Sequence, residues 1–185
     1  MKTKLIEENI KYTGVELSPH WIYKKFHLQG DAIVAFCGEC EVHLTEMVDI
    51  EDVINNESIY SKFMLNFIVE HFNIGLIEGV TRQRLLICII KEALEAELKN
   101  AHEIIRSGDD LYINGKKLSV SIATKSLTSI LIHIGINIDP SGAPIDAVGL
   151  DFLNININDF AQKIMLKYSQ EIDDIILAST KVIGR

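Results

Sequence analysis

At 185 residues, with 48 % hydrophobic and 24 % charged residues, the chain has the length and composition of one folded domain spanning 1–185, not of a disordered or low-complexity segment. A net charge of −8 and a pI near 5.2 exclude a broad phosphate-binding surface, which is usually strongly basic, so nucleic acid is not an expected partner. The opening MKTKLIEENIKYTG has no apolar secretory core, and no run approaches the roughly 18 apolar residues of a membrane span, so the expectation is a cytoplasmic protein without a membrane partner.

In chain order, Ser18-Pro19 predicts the start of a short helix through HWIYKKF, with serine as the cap and proline preset for the first turn. AIVAFC (32–37) is a continuous apolar, β-prone run and predicts a central strand. Cys37 and Cys40 then form CGEC, with His43 following. One reading is a metal or redox site. The other is a strand end running into a glycine turn, with small buried thiols. Zinc normally takes four ligands, and no second CxxC or HxxxH follows, so no metal is expected. An odd count of cysteines, 3, fits a reducing compartment.

Asp49, followed by Ile50, Glu51 and Asp52, reads as a helix cap with acids in the first turn, where the helix dipole favours them. In IYSKFMLNFIVEHF, residues Tyr60, Phe63, Met64, Phe67, Ile68 and His71 recur at three and four, which predicts a helix. TRQRLLICIIKEALEAELK predicts another, capped by Thr81, with Leu86, Ile89, Ile90, Ala93, Leu94 and Leu98 inward. Both stripes are read as core.

A meander follows: EIIR, LYI, KKLSVSIAT and SILIHIGINI read as consecutive antiparallel strands. Asn114-Gly115 suits a type I′ turn, since both central residues need positive φ. Asp139-Pro140-Ser141-Gly142 ends the sheet. A helix from about Asp159 to Ile172, capped by Asn158, carries Phe160, Ile164, Tyr168 and Ile172, and IILASTKVIG reads as a returning edge strand.

Strand alternation sorts these residues into faces. Lys117, Ser119, Ser121 and Ala123 share a side. Ile130, Ile132, Ile134, Ile136 and Ile138 form an obvious core side, opposite Leu131, His133, Gly135 and Asn137. If the lysine and serines join His133, Gly135 and Asn137, the sheet presents a polar face with small residues on which a ligand can lie. A glycine inside a strand often marks such close approach. A plainly solvated sheet face is the alternative.

GDDLYINGKKLSVSIAT followed by ILIHIGINI resembles the sheet core of the biotin and lipoate protein ligases, relatives of class II aminoacyl-tRNA synthetases. On that resemblance Asp110 stands at the aspartate of their Pro-Asn-Asp box, with Asp109 where asparagine is usual. Gly115 and Lys117 match the Gly-x-Lys hairpin. Gly135 and Asn137 match the end of the Gly-Ile-Gly-x-Asn strand, with His133 at its first glycine. End to end, the chain resembles an uncharacterised prokaryotic domain-of-unknown-function family that shares this fold. The resemblance implies an α+β domain with a mixed, largely antiparallel sheet flanked by helices.

It also implies a small carboxylate-bearing or acyl ligand, with Lys117 touching its carboxylate and the α-phosphate of an adenylate. Asp110 or Asn137 would position that lysine, and Ser119, Ser121 and His133 would line the same face. ATP is the cofactor so implied, yet the ligases' Gly-rich, Arg-containing nucleotide loop has no counterpart here; Arg82 and Arg84 of TRQR read as a solvated first turn. Val120 replaces a ligase glycine and is expected on the isoleucine side. The rival expectation is a non-catalytic relative, a binding module or homodimer. Acyl transfer without ATP, with His133 or a cysteine as base or nucleophile, is a variant of the first.

Overall fold

The computed structural model describes residues 1–99 and 102–184. The chain runs β1 (Lys2–Leu5), α1 (Trp21–Phe26), β2 (Ala32–Val42), α2 (Ile50–Asn55), β3 (Ile59–Phe72), α3 (Leu76–Leu98), β4 (Ile104–Ser107), β5 (Asp110–Ile113), β6 (Lys116–Lys117), β7 (Ser119–Lys125), β8 (Ser129–Asp139) and α4 (Ile157–Thr180), with a 3-10 turn at Leu150–Leu153. Five strands form a sheet in the order β1-β2-β3-β8-β7, and β4-β5-β6 form a smaller one. In the five-stranded sheet, among the described residues, β1 and β2 pair in parallel and the other neighbouring strands are antiparallel. The architecture is α+β, with a mixed, largely antiparallel sheet flanked by helices.

Both faces of the five-stranded sheet are covered. On one, α3 and α4 bury Ile33, Leu65, Phe67, Ile132, Ile134 and Ile136 against Leu86, Ile90, Leu94, Ile164 and Tyr168. On the other, Val34, Phe36, Met64 and Ile68 pack under Ile10, Tyr12 and Ile22.

That double burial overturns the helix expected over 59–72. The segment is a strand of 14 residues. A strand apolar on both faces also has apolar neighbours at three and four, so periodicity alone cannot separate the two. β2 likewise does not end in a glycine turn. It runs to Val42 through a bulge between Gly38 and Cys40. The N-terminal segment lies along it, with Ile10 N donating to Cys37 O (2.9 Å) and Tyr12 N to Glu39 O (2.8 Å). A Cβ at Gly38 would stand 2.0 Å from Ile10 O, so only glycine fits that crossing.

Four helix ends also differ. α1 starts at Trp21, after a left-handed His20, with no side-chain cap. α3 starts after Gly75, and Thr81 lies inside it, its hydroxyl bonded back to Ile77 O. α4 is capped by Asn156 and continues to Thr180, absorbing the tail expected to be a strand. Asp49 does cap α2, accepting from Glu51 N at 2.8 Å.

A polar knot ties the sheet to both helices. His71 Nε2 lies 2.8 Å from Tyr168 Oη, and its Nδ1 lies 2.9 Å from Asp31 Oδ2 and 3.0 Å from Arg82 Nη1. Arg82 also donates to Glu78 (2.5 Å) and is therefore buried, not the solvated residue expected. Burial holds His71 below the ordinary histidine value. A buried group left without its partner costs about 1–3 kcal/mol. Tyr168→Phe, which strips His71 Nε2 of its partner, should lower unfolding stability by about that much in a urea titration, with the far-UV spectrum unchanged.

Candidate ligand-binding cavity

A cavity of about 600 Å³ lies beside the β7 edge of the sheet. Val120, Ile122, His133 and Asn137 contribute from the sheet, Tyr12 and Met64 border it, and Lys117 and Asp110 stand at one side. Residues 46–60, which include α2, and the loop 143–147 supply the remaining walls. The volume is that of ordinary small-molecule sites, about 300–1,000 Å³.

Lys117 owes its place to local geometry. Asn114 and Gly115 take φ of 50° and 81°, the positive pair a tight hairpin needs, and set Lys117 opposite Tyr112. The segment 146–148 then grips its backbone: Lys117 N donates to Asp146 O (3.2 Å) and Val148 N to Lys117 O (3.0 Å). Lys117 Nζ lies 2.9 Å from Asp110 Oδ2. Desolvation opposes the ammonium, but the hydrogen bond and charge of Asp110 outweigh it and raise the Lys117 pKa above the ordinary lysine value. Desolvation lifts Asp110 above the ordinary carboxylate range, against the pull of Lys117. Lys117 is thus a fixed, half-buried cation.

The expected single polar face does not form. The strand expected over 116–124 divides at Leu118, which is buried and passes the chain from the small sheet to the large one. β7 pairs with Ser119 opposite Ile136 and Ser121 opposite Ile134, so both serines lie on the isoleucine side. Their hydroxyls are structural. Ser119 Oγ accepts from Leu111 N (2.8 Å), while Ser121 Oγ accepts from Gln83 (2.7 Å) and donates to Asp109 Oδ2 (2.9 Å). Both residues border the cavity with these hydroxyls already engaged. Conversely, Val120 pairs with Gly135 and Ile122 with His133, so Val120 faces the cavity and not the isoleucines.

The two expected glycines lie away from it. Gly115 is at the exposed hairpin tip, and Gly135 makes room for Met64, whose Sδ would be 2.2 Å from an added Cβ. The structure therefore gathers Lys117, Asp110, His133 and Asn137, and sets Gly115 and Gly135 apart. It also adds Tyr12 and Asp52, which no local motif marks because they arrive from distant segments.

His133 and Asn137 differ in state. Asn66 Nδ2 donates to Met64 O (3.2 Å), which turns its Oδ1 toward His133 Nε2 at 2.9 Å and fixes the donor there. Tyr12 stacks on the imidazole with centroids 3.7 Å apart. Burial pulls the His133 pKa down to about 3, so the ring is neutral at physiological pH. Asn137 is 6 % exposed, and its amide has no hydrogen-bond partner among the described residues. The cysteines play no part here: Cys37 packs on the helix-covered face and Cys40 on the opposite one, while His43 is exposed. Burial raises their pKa values to about 11 and about 12, so neither is a ready thiolate. Arg84 is half exposed, 4.0 Å from Asp109, and neither it nor Arg82 lines the cavity.

The chain belongs to the family described as Domain of unknown function (DUF366), whose model matches residues 1–183. It is 39 % identical to the uncharacterized protein MJ0805 of Methanocaldococcus jannaschii, over 95 % of this chain and 81 % of that protein. A protein of unknown function from Pyrococcus horikoshi superposes with a TM-score of 0.92 at 37 % identity, covering 100 % of this chain and 98 % of that one. The biotin protein ligase of Aquifex aeolicus in complex with biotin and ATP superposes at a TM-score of 0.60 and 16 % identity, over 92 % and 70 % of the two chains. A lipoate-protein ligase A bound with ATP does so at 0.60. The fold is that of the biotin and lipoate ligases. Among the described residues no helix is long and apolar enough to cross a membrane.

Because His133 is neutral when folded and titrates near pH 6.5 when unfolded, its contribution to stability is complete above pH 6.5 and is lost as pH falls toward about 3. Urea titrations at pH 7 and pH 5 should differ by about 2 kcal/mol from this group. His133→Gln, which keeps a donor for Asn66, should remove that part of the difference.

Proposed function

We propose that the protein binds a small carboxylate-bearing or acyl ligand in this cavity and uses it in acyl or acyl-adenylate transfer. The observation that carries the reading is Lys117, a backbone-clamped and half-buried ammonium beside a 600 Å³ space. The ligand's carboxylate pairs with that ammonium, and its apolar part lies over Val120, Ile122 and Met64. The fold kinship with ligases that bind biotin and ATP supports the same choice. In this reading the protein is one cytoplasmic domain, with a homodimer as its assembled form.

The chemistry follows from charge. When a carboxylate oxygen attacks the α-phosphorus of a nucleotide and pyrophosphate leaves, two anions are forced together. A fixed cation offsets the accumulating charge without reorganising, and one such donor is typically worth about 3 kcal/mol of barrier. Lys117 fills that role. ATP enters this reading as co-substrate through the kinship alone. The other half of the proposal, a binding module without catalysis, is favoured by one observation: Arg82, the nearest stand-in for the missing nucleotide loop, is tied to Glu78 and His71 and does not reach the cavity.

Thermal shift against ATP, biotin, lipoate, short fatty acids and amino acids tests the site. A ligand at a hundred times its dissociation constant stabilises by about 2.7 kcal/mol, which is about 5–10 °C for a domain of this length. The shift should vanish in Lys117→Met, and equally in Lys117→Met combined with Asp110→Asn, which leaves no carboxylate unpaired. A shift that survives both substitutions places the ligand elsewhere. No shift with any carboxylate or with ATP, from a protein that sediments as a dimer, transfers the reading to the non-catalytic module.

A further inference from the structure

The charge of the cavity wall is the opposite of what a plain carboxylate ligand prefers. Among the described residues, Lys117 is the one lysine or arginine lining it, and Asp110 already pairs with it. α2 and its flanks line the same cavity with Asp49, Glu51, Asp52 and Glu57, and Glu46 lies on the same wall-forming segment. Asp109 is satisfied by Gln83 and Ser121, and Asp49 caps its own helix. Asp52 is different. It is half-buried, has no salt-bridge or hydrogen-bond partner for its side chain among the described residues, and its carboxyl is pushed upward by burial and then by Asp49 and Glu57. Only Lys117 pulls it the other way.

An acidic wall alone names no ligand, but Asn137 adds a second, independent sign. The residue is 6 % exposed, its side chain has no hydrogen-bond partner among the described residues, and it borders the same space. Its amide atoms keep access to that space, since among the described residues no fully buried side-chain nitrogen or oxygen lacks a partner, and so they are free to bond a ligand. It offers both an acceptor for an ammonium and a donor for a carboxylate. A bare divalent cation does not account for the wall, because no group of three or more His, Cys, Asp or Glu converges to hold a metal among the described residues. A simple amine would meet Lys117, and a simple carboxylate would meet Asp52 and its neighbours.

We propose that the ligand is zwitterionic, an amino-carboxylic acid whose carboxylate sits on Lys117 and whose ammonium sits on Asp52, with Asn137 bridging between them. This deepens the function proposed above and rests on it for the placement of the carboxylate. Each end of such a ligand is paired with an opposite charge. The ammonium also relieves the repulsion that Asp49, Asp52 and Glu57 exert on one another.

Calorimetric titration of hexanoate and of its 2-amino and 6-amino derivatives into the wild type, Asp52→Asn and Lys117→Met tests this. At least one amino derivative should bind the wild type tenfold or more tightly than hexanoate. That advantage should fall below threefold in Asp52→Asn, whose helix keeps its Asp49 cap, and all binding should be lost in Lys117→Met. Hexanoate binding as tightly as both amino derivatives overturns the zwitterion and leaves the carboxylate site standing. An amino preference undiminished in Asp52→Asn overturns the place given to the ammonium. Binding of none of the three probes removes both the inference and the reading beneath it.

Discussion

The register of β7 on β8 decides what this cavity is made of. With Ser121 opposite Ile134, every odd residue of β7 belongs to the helix-covered face and every even one to the cavity face. A slip of one residue would exchange the two sets, placing Ser119 and Ser121 over the cavity and Val120 and Ile122 in the core. The register is held largely from outside the pair, and by one bond from β8 just before β7 begins. Leu111 N bonds Ser119 Oγ, Gln83 and Asp109 clasp Ser121, and Asn137 N donates to Leu118 O at the point where the chain changes sheets. The serines that looked like ligand contacts are thus what keeps the contacts where they are.

Leu118 has a second consequence. A straight strand from 116 to 124 would hold Lys117 on the side of Ser119. The division at Leu118 frees Lys117 from that alternation, and the clamp from residues 146–148 fixes it at the cavity instead. Lys117 is therefore positioned by its own hairpin, which also carries Asp110, and by the distant segment after β8. Such preorganisation is what makes a single ammonium effective near a developing anion, because the charge is already in place and less reorganisation is needed on binding.

Most of what surrounds the cavity is neutral and tightly packed. Tyr12 stacks on a neutral His133, whose proton is directed to Asn66 by the Asn66–Met64 bond. On the far face the His71–Tyr168–Asp31–Arg82 knot locks the helices to the sheet and keeps Arg82 away from the cavity. Lys117, Glu46 and the carboxylates of α2 and its flanks are the charges left to meet a ligand.

Local chemistry was legible in the sequence wherever neighbours along the chain settle it: the Asn114-Gly115 turn, the Asp49 cap, the isoleucine face of β8, the buried stripe of α3, and the ligase-like order of Asp110, Lys117 and Asn137. These depend on φ preferences, hydrogen bonds over a few residues and strand alternation. Tertiary structure alone decided that Ile59–Phe72 is a strand, since burial on both faces erases the period that separates strand from helix. It alone decided which way Ser119 and Ser121 turn, because register is a relation between two strands and is written in neither. And it alone brought Tyr12, Asp52, Lys117 and Asn137 to one cavity, since residues so far apart in the chain meet only once the sheet, its two helical layers and the returning loops are all in place.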